Sequence, residues 1–251
     1  MMKFGCTGNF DKPDFYLIIK EINNFLKHQG HEFILDSHIL SGENGDILTG
    51  ICRKHIKDLA AYSDILISVG GDGTILSTIR RIEKCDVPVL GIHIGGLGFL
   101  AECTQTDFIK GLENIISGKF HTTKRMMLEA TILGSEKKTY FGVNDIVIDH
   151  GSTARLLKTR IDVNDDYLNT YESDGIIFST PTGSTAYSLS AGGPIVIPEL
   201  DVITVTPICP HSLSARPIII SSGDVIRAGF FEDQSSITVT IDGQVTVPVD
   251  Y

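Results

Sequence analysis

The stretch Gly70-Gly71-Asp72-Gly73-Thr74 combines residue types that could handle a phosphoryl group. Its three glycines form a tight turn whose amides can approach phosphate oxygens, and a helix that starts there adds a partial positive charge. Because a carboxylate beside phosphate is repelled unless it has a task, Asp72 is expected to hold Mg²⁺ or to accept a proton from an attacking hydroxyl. The pattern points to phosphoryl transfer onto an alcohol.

Two further clusters could belong to the same site. The glycine-rich residues 91–100 follow a strand, so in a parallel sheet they lie at the same edge as Asp72, where ligands collect. A sharp bend is the alternative, and His93 is interpreted as structural. Asn144-Asp145 interrupts an apolar run, and buried polar side chains need partners. They could bind a base or a ribose, or they could mark a bulge or a strand-end turn.

Residues 174–194 run from an apolar strand into a turn rich in hydroxyl groups and then into a helix. One Ser or Thr suffices to cap a helix, so this excess favours a polar ligand such as a dinucleotide. Asp242-Gly243-Gln244 is typical of a hairpin turn, and the proline-rich residues 207–217 are interpreted as structural. Neither a P-loop nor a G-x-G-x-x-G fingerprint occurs.

Strand and helix patterns alternate through the first half of the chain, which predicts a parallel sheet covered by helices. Strands are predicted at residues 3–6, 32–35, 65–69 and 87–92, and helices at 14–29, at 47–61, from 75, and behind a Thr106 cap.

Short strand patterns dominate the second half and predict a β-rich domain. They lie at residues 127–133, 141–148, 156–163, 175–178, 202–206, 217–220, 225–231 and 237–241, with a hairpin turn at 164–166 and one helix at 184–191. The predicted domains are residues 1–120, an α/β domain carrying the glycine turn, and residues 121–251, a β-rich domain.

Composition narrows the possible partners. The formal net charge of −10 argues against non-specific binding to nucleic acid or to anionic membranes. Five scattered cysteines without a C-x-x-C pair favour free thiols in a reducing compartment. The sequence has no signal-peptide core and no apolar run long enough to span a bilayer. A cytoplasmic protein is expected.

Together these clusters resemble the NAD kinase family, the ATP:NAD 2′-phosphotransferases, and they occur in the family's order over most of the chain. The resemblance implies an NAD kinase-like fold, ATP as phosphoryl donor, Mg²⁺, and a homodimer or homotetramer. It implies that Asp72 accepts the proton of the adenosine 2′-hydroxyl of NAD. The residues implied to bind NAD are Asp72, Gly73, Asn144, Asp145, Arg155, Asp174, Thr185, Ala186, Tyr187, Ser188, Leu189, Ser190 and Gln244; those implied to bind the phosphates of ATP are Gly70, Gly71, Gly73 and Thr74.

One residue and one segment depart from the family pattern. Glu172 stands where similar proteins often have a basic residue, and the segment after Gln244 is shorter than in relatives. Two other functions remain open from the residues. A sugar or lipid kinase could share the glycine turn, and a dinucleotide-binding sensor could share the binding residues without catalysis.

Overall fold

The computed structural model describes residues 1–39, 48–95, 98–134, 136–151, 156–231 and 237–249. The chain divides into two units, Met1–Thr123 and Lys124–Tyr251. The first has a parallel sheet with helices, and the second is built from antiparallel sheets, which confirms the predicted fold class. None of the helices in these described ranges has the length and apolar character needed to cross a membrane.

A six-stranded parallel sheet with strand order β3-β2-β1-β4-β5-β6 forms the centre of the first unit. Its elements are β1 (Lys3–Gly8), α1 (Phe15–His28), β2 (Glu32–Asp36), β3 (Cys52–Lys54), α2 (Ile56–Tyr62), β4 (Ile65–Gly70), α3 (Asp72–Ile82), β5 (Val89–His93), β6 (Cys103–Thr104) and α4 (Phe108–Ile116).

Apolar side chains cover both faces of this sheet. On one face α1 and α4 pack around Phe4 and Ile67, and on the other α2 and α3 pack around Leu66. Successive residues of a strand point to opposite faces, so a strand buried on both sides is mostly apolar. This holds for β4, whose one polar side chain, Ser68, shares a hydrogen bond of 2.8 Å with the Thr78 hydroxyl. Because β4 is buried on both faces, its position in the sheet is fixed, and with it the position of the turn between β4 and α3.

Two predictions for this unit are wrong in detail. The predicted helix at 47–61 begins only at Ile56, because Cys52–Lys54 pairs with β2 as the edge strand β3; residue 47 lies outside the described residues. Helical spacing of apolar residues could not reveal that backbone pairing. The last helix starts at Phe108, with Asp107 rather than Thr106 before it, and the Asp107 carboxylate accepts the Thr104 N–H at 2.6 Å.

The second unit contains a six-stranded sheet ordered β14-β13-β12-β9-β16-β17, a three-stranded sheet ordered β11-β10-β15, and the hairpin β7-β8. Its strands are β7 (Leu128–Leu133), β8 (Lys137–Gly142), β9 (Asp145–Asp149), β10 (Leu157–Val163), β11 (Asp166–Ser173), β12 (Gly175–Ser179), β13 (Val202–Ile208), β14 (Ile218–Ser221), β15 (Ile226–Phe230), β16 (Ile237–Ile241) and β17 (Val245–Val249). A 3₁₀ turn (Thr182–Thr185) and α5 (Tyr187–Ser190) follow β12.

The predicted hairpin at 164–166 is confirmed. Asn164 and Asp165 both adopt left-handed backbone angles, with φ of 51° and 73°, as a tight turn between β10 and β11 requires. The prediction of one strand at 141–148 is wrong. Strand β8 ends at Gly142, and the next strand, β9, begins at Asp145 and belongs to a different sheet. The predicted helix at 184–191 is shorter, a 3₁₀ turn followed by one helical turn.

A charged network anchors α3 to the first sheet. The buried Asp36 carboxylate, at the end of β2, accepts hydrogen bonds from the Thr7 hydroxyl at 2.8 Å and from Arg81 Nη2 at 2.7 Å. It also accepts the His38 N–H at 3.1 Å. Because Arg81 belongs to α3, this ion pair ties that helix to the carboxyl edge of the sheet.

We expect Arg81→Met to lower the free energy of unfolding by about 2–4 kcal/mol, because it leaves the Asp36 charge buried without its cation. Arg160→Met is the matched control, since Arg160 pairs with Asp162 at the surface, where ion pairs contribute about 1 kcal/mol or less. Urea denaturation followed by circular dichroism measures both losses. Equal losses in the two variants would contradict an anchoring role for the Arg81–Asp36 pair.

Candidate functional site

The glycine turn lies where the strand order of the first sheet reverses. From β1 the chain builds outward through β2 and β3 on one side, and it returns to add β4, β5 and β6 on the other. The reversal therefore falls between β1 and β4, whose carboxyl ends are Gly8 and Gly70. In open α/β sheets ligands bind at such a point. Only Gly71 separates the end of β4 from the start of α3.

The Asp72 carboxylate is held by the second glycine-rich loop. It accepts the Phe99 N–H at 2.7 Å and the Leu100 N–H at 3.2 Å, one on each oxygen. A Cβ on Gly98 would overlap this carboxylate, so a larger residue there would displace the Asp72 side chain from its present position. Within the first unit, the turn and the loop at residues 91–100 thus meet at one sheet edge; residues 96 and 97 lie outside the described residues.

This arrangement leaves the half-buried Asp72 with capacity for a ligand. An ionised carboxylate offers about four acceptor positions, and the two backbone N–H groups occupy two of them. Backbone donors are less mobile than side chains, so they fix the direction of the remaining lone pairs. A carboxylate oriented in advance is suited to bind a hydroxyl and to receive its proton.

Contacts within the turn also explain why glycine stands at these positions. Thr74 Oγ1 accepts the Gly71 N–H at 3.3 Å, and a Cβ on Gly70 would collide with the Thr74 side chain. Thr74 and Ile75 in turn donate their N–H groups to the Gly71 carbonyl. Thr74 therefore closes the turn from inside and sets the start of α3.

In the second unit, Asp242 organises the segment that contains Asn144. Its buried carboxylate accepts backbone N–H groups from Val143 at 2.9 Å, Asn144 at 2.7 Å and Asp145 at 3.3 Å. Asp242 lies in the turn between β16 and β17, with φ of 50°. From its sequence pattern, Asp242 was predicted only to form part of a hairpin turn. In the sequence, the one sign of its organising role was the position of a carboxylate directly after a buried strand.

The hydroxyl-rich run packs against the same Asn144 turn. Thr180 donates its N–H to the Asn144 carbonyl at 2.9 Å and its hydroxyl to the Val143 carbonyl at 2.6 Å. Gly183 has no room for a Cβ against the Asn144 backbone. The buried Ser188 hydroxyl shares a hydrogen bond of 3.1 Å with Thr206. Several of these hydroxyls therefore build the turn itself.

Other predicted residues face outward around this turn. Thr185, Tyr187, Leu189 and Ser190 are exposed, while Ala186 and Asp174 are half-buried. Although Tyr187 is exposed, its phenol is partly shielded from water. This shielding, followed by the charges of Asp149, Cys209, Asp174 and Asp145, raises the pKa of Tyr187. Gln244 is the last residue of the β16–β17 turn and donates its N–H to the Ile241 carbonyl at 2.9 Å. Arg155 lies outside the described residues.

Glu172 has a surface partner. Its carboxylate lies 3.1 Å from the Lys158 ammonium, across the β10–β11 pair, and both side chains are about half exposed. The two charges offset one another at this position.

Asp145 is a buried acid beside a second carboxylate. Burial first, and the nearby charge of Asp242 second, raise the pKa of Asp145 to about 6. Since an unfolded aspartate titrates near 3.9, the folded chain binds a proton between about pH 4 and pH 6 that the unfolded chain does not. The stability contributed by that proton is complete below about pH 4 and is lost as the pH rises through about 6.

Asparagine does not titrate, so we expect Asp145→Asn to escape the loss of stability that wild type undergoes as the pH rises. At pH 7.5 the unfolding free energy of the variant is expected to exceed that of wild type by about 2 kcal/mol. At pH 4.5, where Asp145 of the folded chain is still mostly protonated, the gain is expected to shrink to about 1 kcal/mol or less. Urea denaturation at the two pH values measures the difference, with the exposed Asp166→Asn as control. A gain that does not depend on pH would contradict the raised pKa.

A direct metal cage is not evident where the structure is described: no group of three or more His, Cys, Asp or Glu side chains is placed to hold an ion there. All five cysteines are free, with Cys6 and Cys103 buried.

Family comparisons cover both units. A model described as ATP-NAD kinase N-terminal domain matches residues 16–120, and one described as ATP-NAD kinase C-terminal domain matches residues 143–250. An NAD kinase of Caldanaerobacter subterraneus subsp. tengcongensis is 41% identical over 253 residues, covering 100% of this chain and 88% of the relative. An NAD kinase of Syntrophotalea carbinolica is 38% identical over 252 residues, covering 100% and 87%.

Solved structures have the same fold. Yeast NADH kinase complexed with NADH matches with a TM-score of 0.84 and 28% identity, over 99% of this chain and 76% of that chain. An NAD kinase from Archaeoglobus fulgidus in complex with ATP matches with a TM-score of 0.74 and 25% identity, over 100% and 87%. The family models and the near-full-length relatives agree with the motifs of both units, and the chain therefore belongs to the NAD kinase family.

Proposed function

We propose that this chain transfers the γ-phosphoryl group of ATP to the 2′-hydroxyl of the adenosine ribose of NAD, giving NADP and ADP. Membership of the NAD kinase family supports this reaction. The observation that carries the proposed chemistry is the Asp72 carboxylate, oriented by two backbone N–H groups beside a glycine turn.

In this reaction the 2′-oxygen attacks the γ-phosphorus, and the bond from that phosphorus to the β–γ bridging oxygen breaks. A ribose hydroxyl is far less acidic than a carboxylic acid, so Asp72 first orients the hydroxyl and accepts its proton late, as the new phosphorus–oxygen bond forms. A general base of this kind contributes about 10²- to 10⁴-fold to the rate. Positioning and stabilisation of phosphate charge supply the rest.

Residues of both proposed domains, 1–120 and 121–251, would bind the substrates. The polar groups assembled around the Asn144 turn support an NAD site in the second domain. The proposed NAD contacts are Asp72, Gly73, Asn144, Asp145, Arg155, Asp174, residues 185–190 and Gln244, and the proposed ATP contacts are Gly70, Gly71, Gly73 and Thr74. For Ser188 the proposed contact would come through the backbone, because its hydroxyl already bonds to Thr206.

Mg²⁺ fits this chemistry as a companion of ATP. The ion commonly binds through one or two carboxylates together with substrate phosphates and water, so it does not require a cage of protein ligands. Asp72 is the carboxylate beside the turn proposed for the phosphates. When bound, Mg²⁺ would neutralise part of the triphosphate charge.

We also propose that the protein acts in the cytoplasm as a homodimer or homotetramer, binding neither nucleic acid nor membranes. The free cysteines support a location in the cytoplasm. The net charge of −10 supports the absence of binding to nucleic acid and membranes. Size-exclusion chromatography with light scattering measures the oligomeric state, and a monomer at working concentration would contradict this part of the proposal.

The reaction is tested by supplying ATP, NAD and Mg²⁺ and detecting NADP with an NADP-specific dehydrogenase. We expect a signal that disappears when ATP, NAD or Mg²⁺ is omitted. NAD binding without any ATP-dependent product would instead identify a dinucleotide-binding module. Phosphorylation of a sugar or lipid in parallel incubations, with NAD left unchanged, would identify a different kinase.

A further inference from the structure

His93 lies at the carboxyl edge of the first sheet, and packing of the sheet alone does not explain a histidine there. It is the last residue of β5, and in the parallel pairing of β4 with β5 it lies opposite Gly70. The ring reaches the glycine turn, since a Cβ built on Gly71 would lie 3.5 Å from His93 Nε2. His93 therefore stands next to the turn proposed to bind the phosphates of ATP.

The second ring nitrogen of His93, Nδ1, lacks a hydrogen-bond partner in the part of the chain that the structure describes. This nitrogen is shielded from solvent. Buried polar atoms usually find partners, and an exception at a candidate site calls for a reason. An unpaired buried N–H is disfavoured more than an unpaired acceptor. The tautomer consistent with this environment therefore keeps a lone pair on Nδ1 and places the proton on Nε2, the nitrogen next to Gly71.

We propose that His93 donates a hydrogen bond from Nε2–H to a phosphate oxygen of ATP bound at residues 70–74. The inference rests on the proposed function and adds a phosphate-binding residue to it. The sequence has no P-loop lysine, so a side-chain donor beside the turn would supplement the backbone amides.

Substitution separates this role from a structural one. We expect His93→Ala to raise the Kd and KM of ATP about 10- to 100-fold, the range for losing a hydrogen bond to a charged group. The KM of NAD is expected to change less than about twofold. His93→Gln, whose amide can donate from a similar position, is expected to recover most of the ATP affinity. Isothermal titration calorimetry with ATP alone gives a readout independent of turnover.

His28→Ala is the matched control. His28 ends α1, which runs back to the opposite edge of the sheet, and its Nδ1 lies 2.7 Å from the Asn24 carbonyl in an exposed position. Its loss is expected to leave the Kd of ATP unchanged. An unchanged Kd of ATP in His93→Ala, or equal losses of ATP and NAD affinity, would overturn the proposal.

A measurement on the unsubstituted protein covers the case in which His93→Ala does not fold. With ¹⁵N-labelled histidine, adding ATP is expected to shift the His93 Nε2 resonance and to leave that of His28 in place. No shift at saturating ATP would overturn the proposal. NADP formation by the wild type is tested separately. A wild type that makes NADP while His93 fails these tests refutes only the role of His93, whereas a wild type that makes none refutes the proposed function.

Discussion

Asp72→Asn is expected to lower kcat by about 10²- to 10⁴-fold, because the amide cannot accept the proton of the ribose hydroxyl. The Kd of NAD is expected to change less than about threefold. The Asn carbonyl oxygen can still accept one of the N–H groups that Phe99 and Leu100 donate to Asp72, so the loop should keep its place. The coupled NADP assay measures kcat, and calorimetry measures the Kd.

The control for this variant is Asp64→Asn. Asp64 precedes β4 at its other end, is exposed, and accepts the Lys3 N–H at 2.8 Å, so the change removes an equal charge from an equivalent backbone contact. Its kcat is expected to match that of wild type. Turnover of Asp72→Asn close to wild type would remove Asp72 from the chemistry.

Asp242→Ala is expected to lower the free energy of unfolding of the second unit by about 3–5 kcal/mol, because it removes the acceptor of three backbone N–H groups, two of them buried. The loss is partly offset, since Asp145 no longer faces a second carboxylate. Because Asn144 and Asp145 would lose their fixed backbone, the Kd of NAD is expected to rise about tenfold or more. Urea denaturation and calorimetry measure the two effects.

Asp165→Ala provides the matched comparison for Asp242→Ala. Asp165 also lies in a hairpin turn with positive φ, but its carboxylate is exposed and pairs with Arg227, so the change is expected to lower the unfolding free energy by about 1 kcal/mol or less. Should Asp242→Ala fail to fold, Asp242→Asn retains one acceptor oxygen and is expected to lose about half as much. Equal losses at Asp165 and Asp242 would contradict the organising role of Asp242.

Local patterns predicted much of the first unit. The apolar run before Gly70 predicted β4, and two glycine-rich segments after neighbouring parallel strands predicted that Asp72 and the loop at 98–100 meet. Both inferences depend on residues close in sequence and on a general property of parallel sheets. The Asn164-Asp165 turn followed in the same way, because both residues tolerate left-handed backbone angles.

Long-range partners account for what sequence patterns missed. Cys52–Lys54 is a strand because β2 offers it a free edge, although its apolar spacing resembles a helix. The strands β11 and β17 are rich in polar or alternating residues and gain their order by pairing with β10 and β16. Asp242 lies 97 to 99 residues from the N–H groups it accepts. No local window of sequence contains both partners.

The distance between Asp72 and the reacting hydroxyl tests the proposed chemistry most directly. It would be measured in an experimental structure of the chain with NAD bound, from the nearer carboxylate oxygen of Asp72 to the 2′-oxygen of the adenosine ribose. We predict a separation of about 2.6–3.2 Å, the range over which a general base can accept a proton. A separation of more than about 6 Å, too long even for one bridging water, would contradict Asp72 as the proton acceptor.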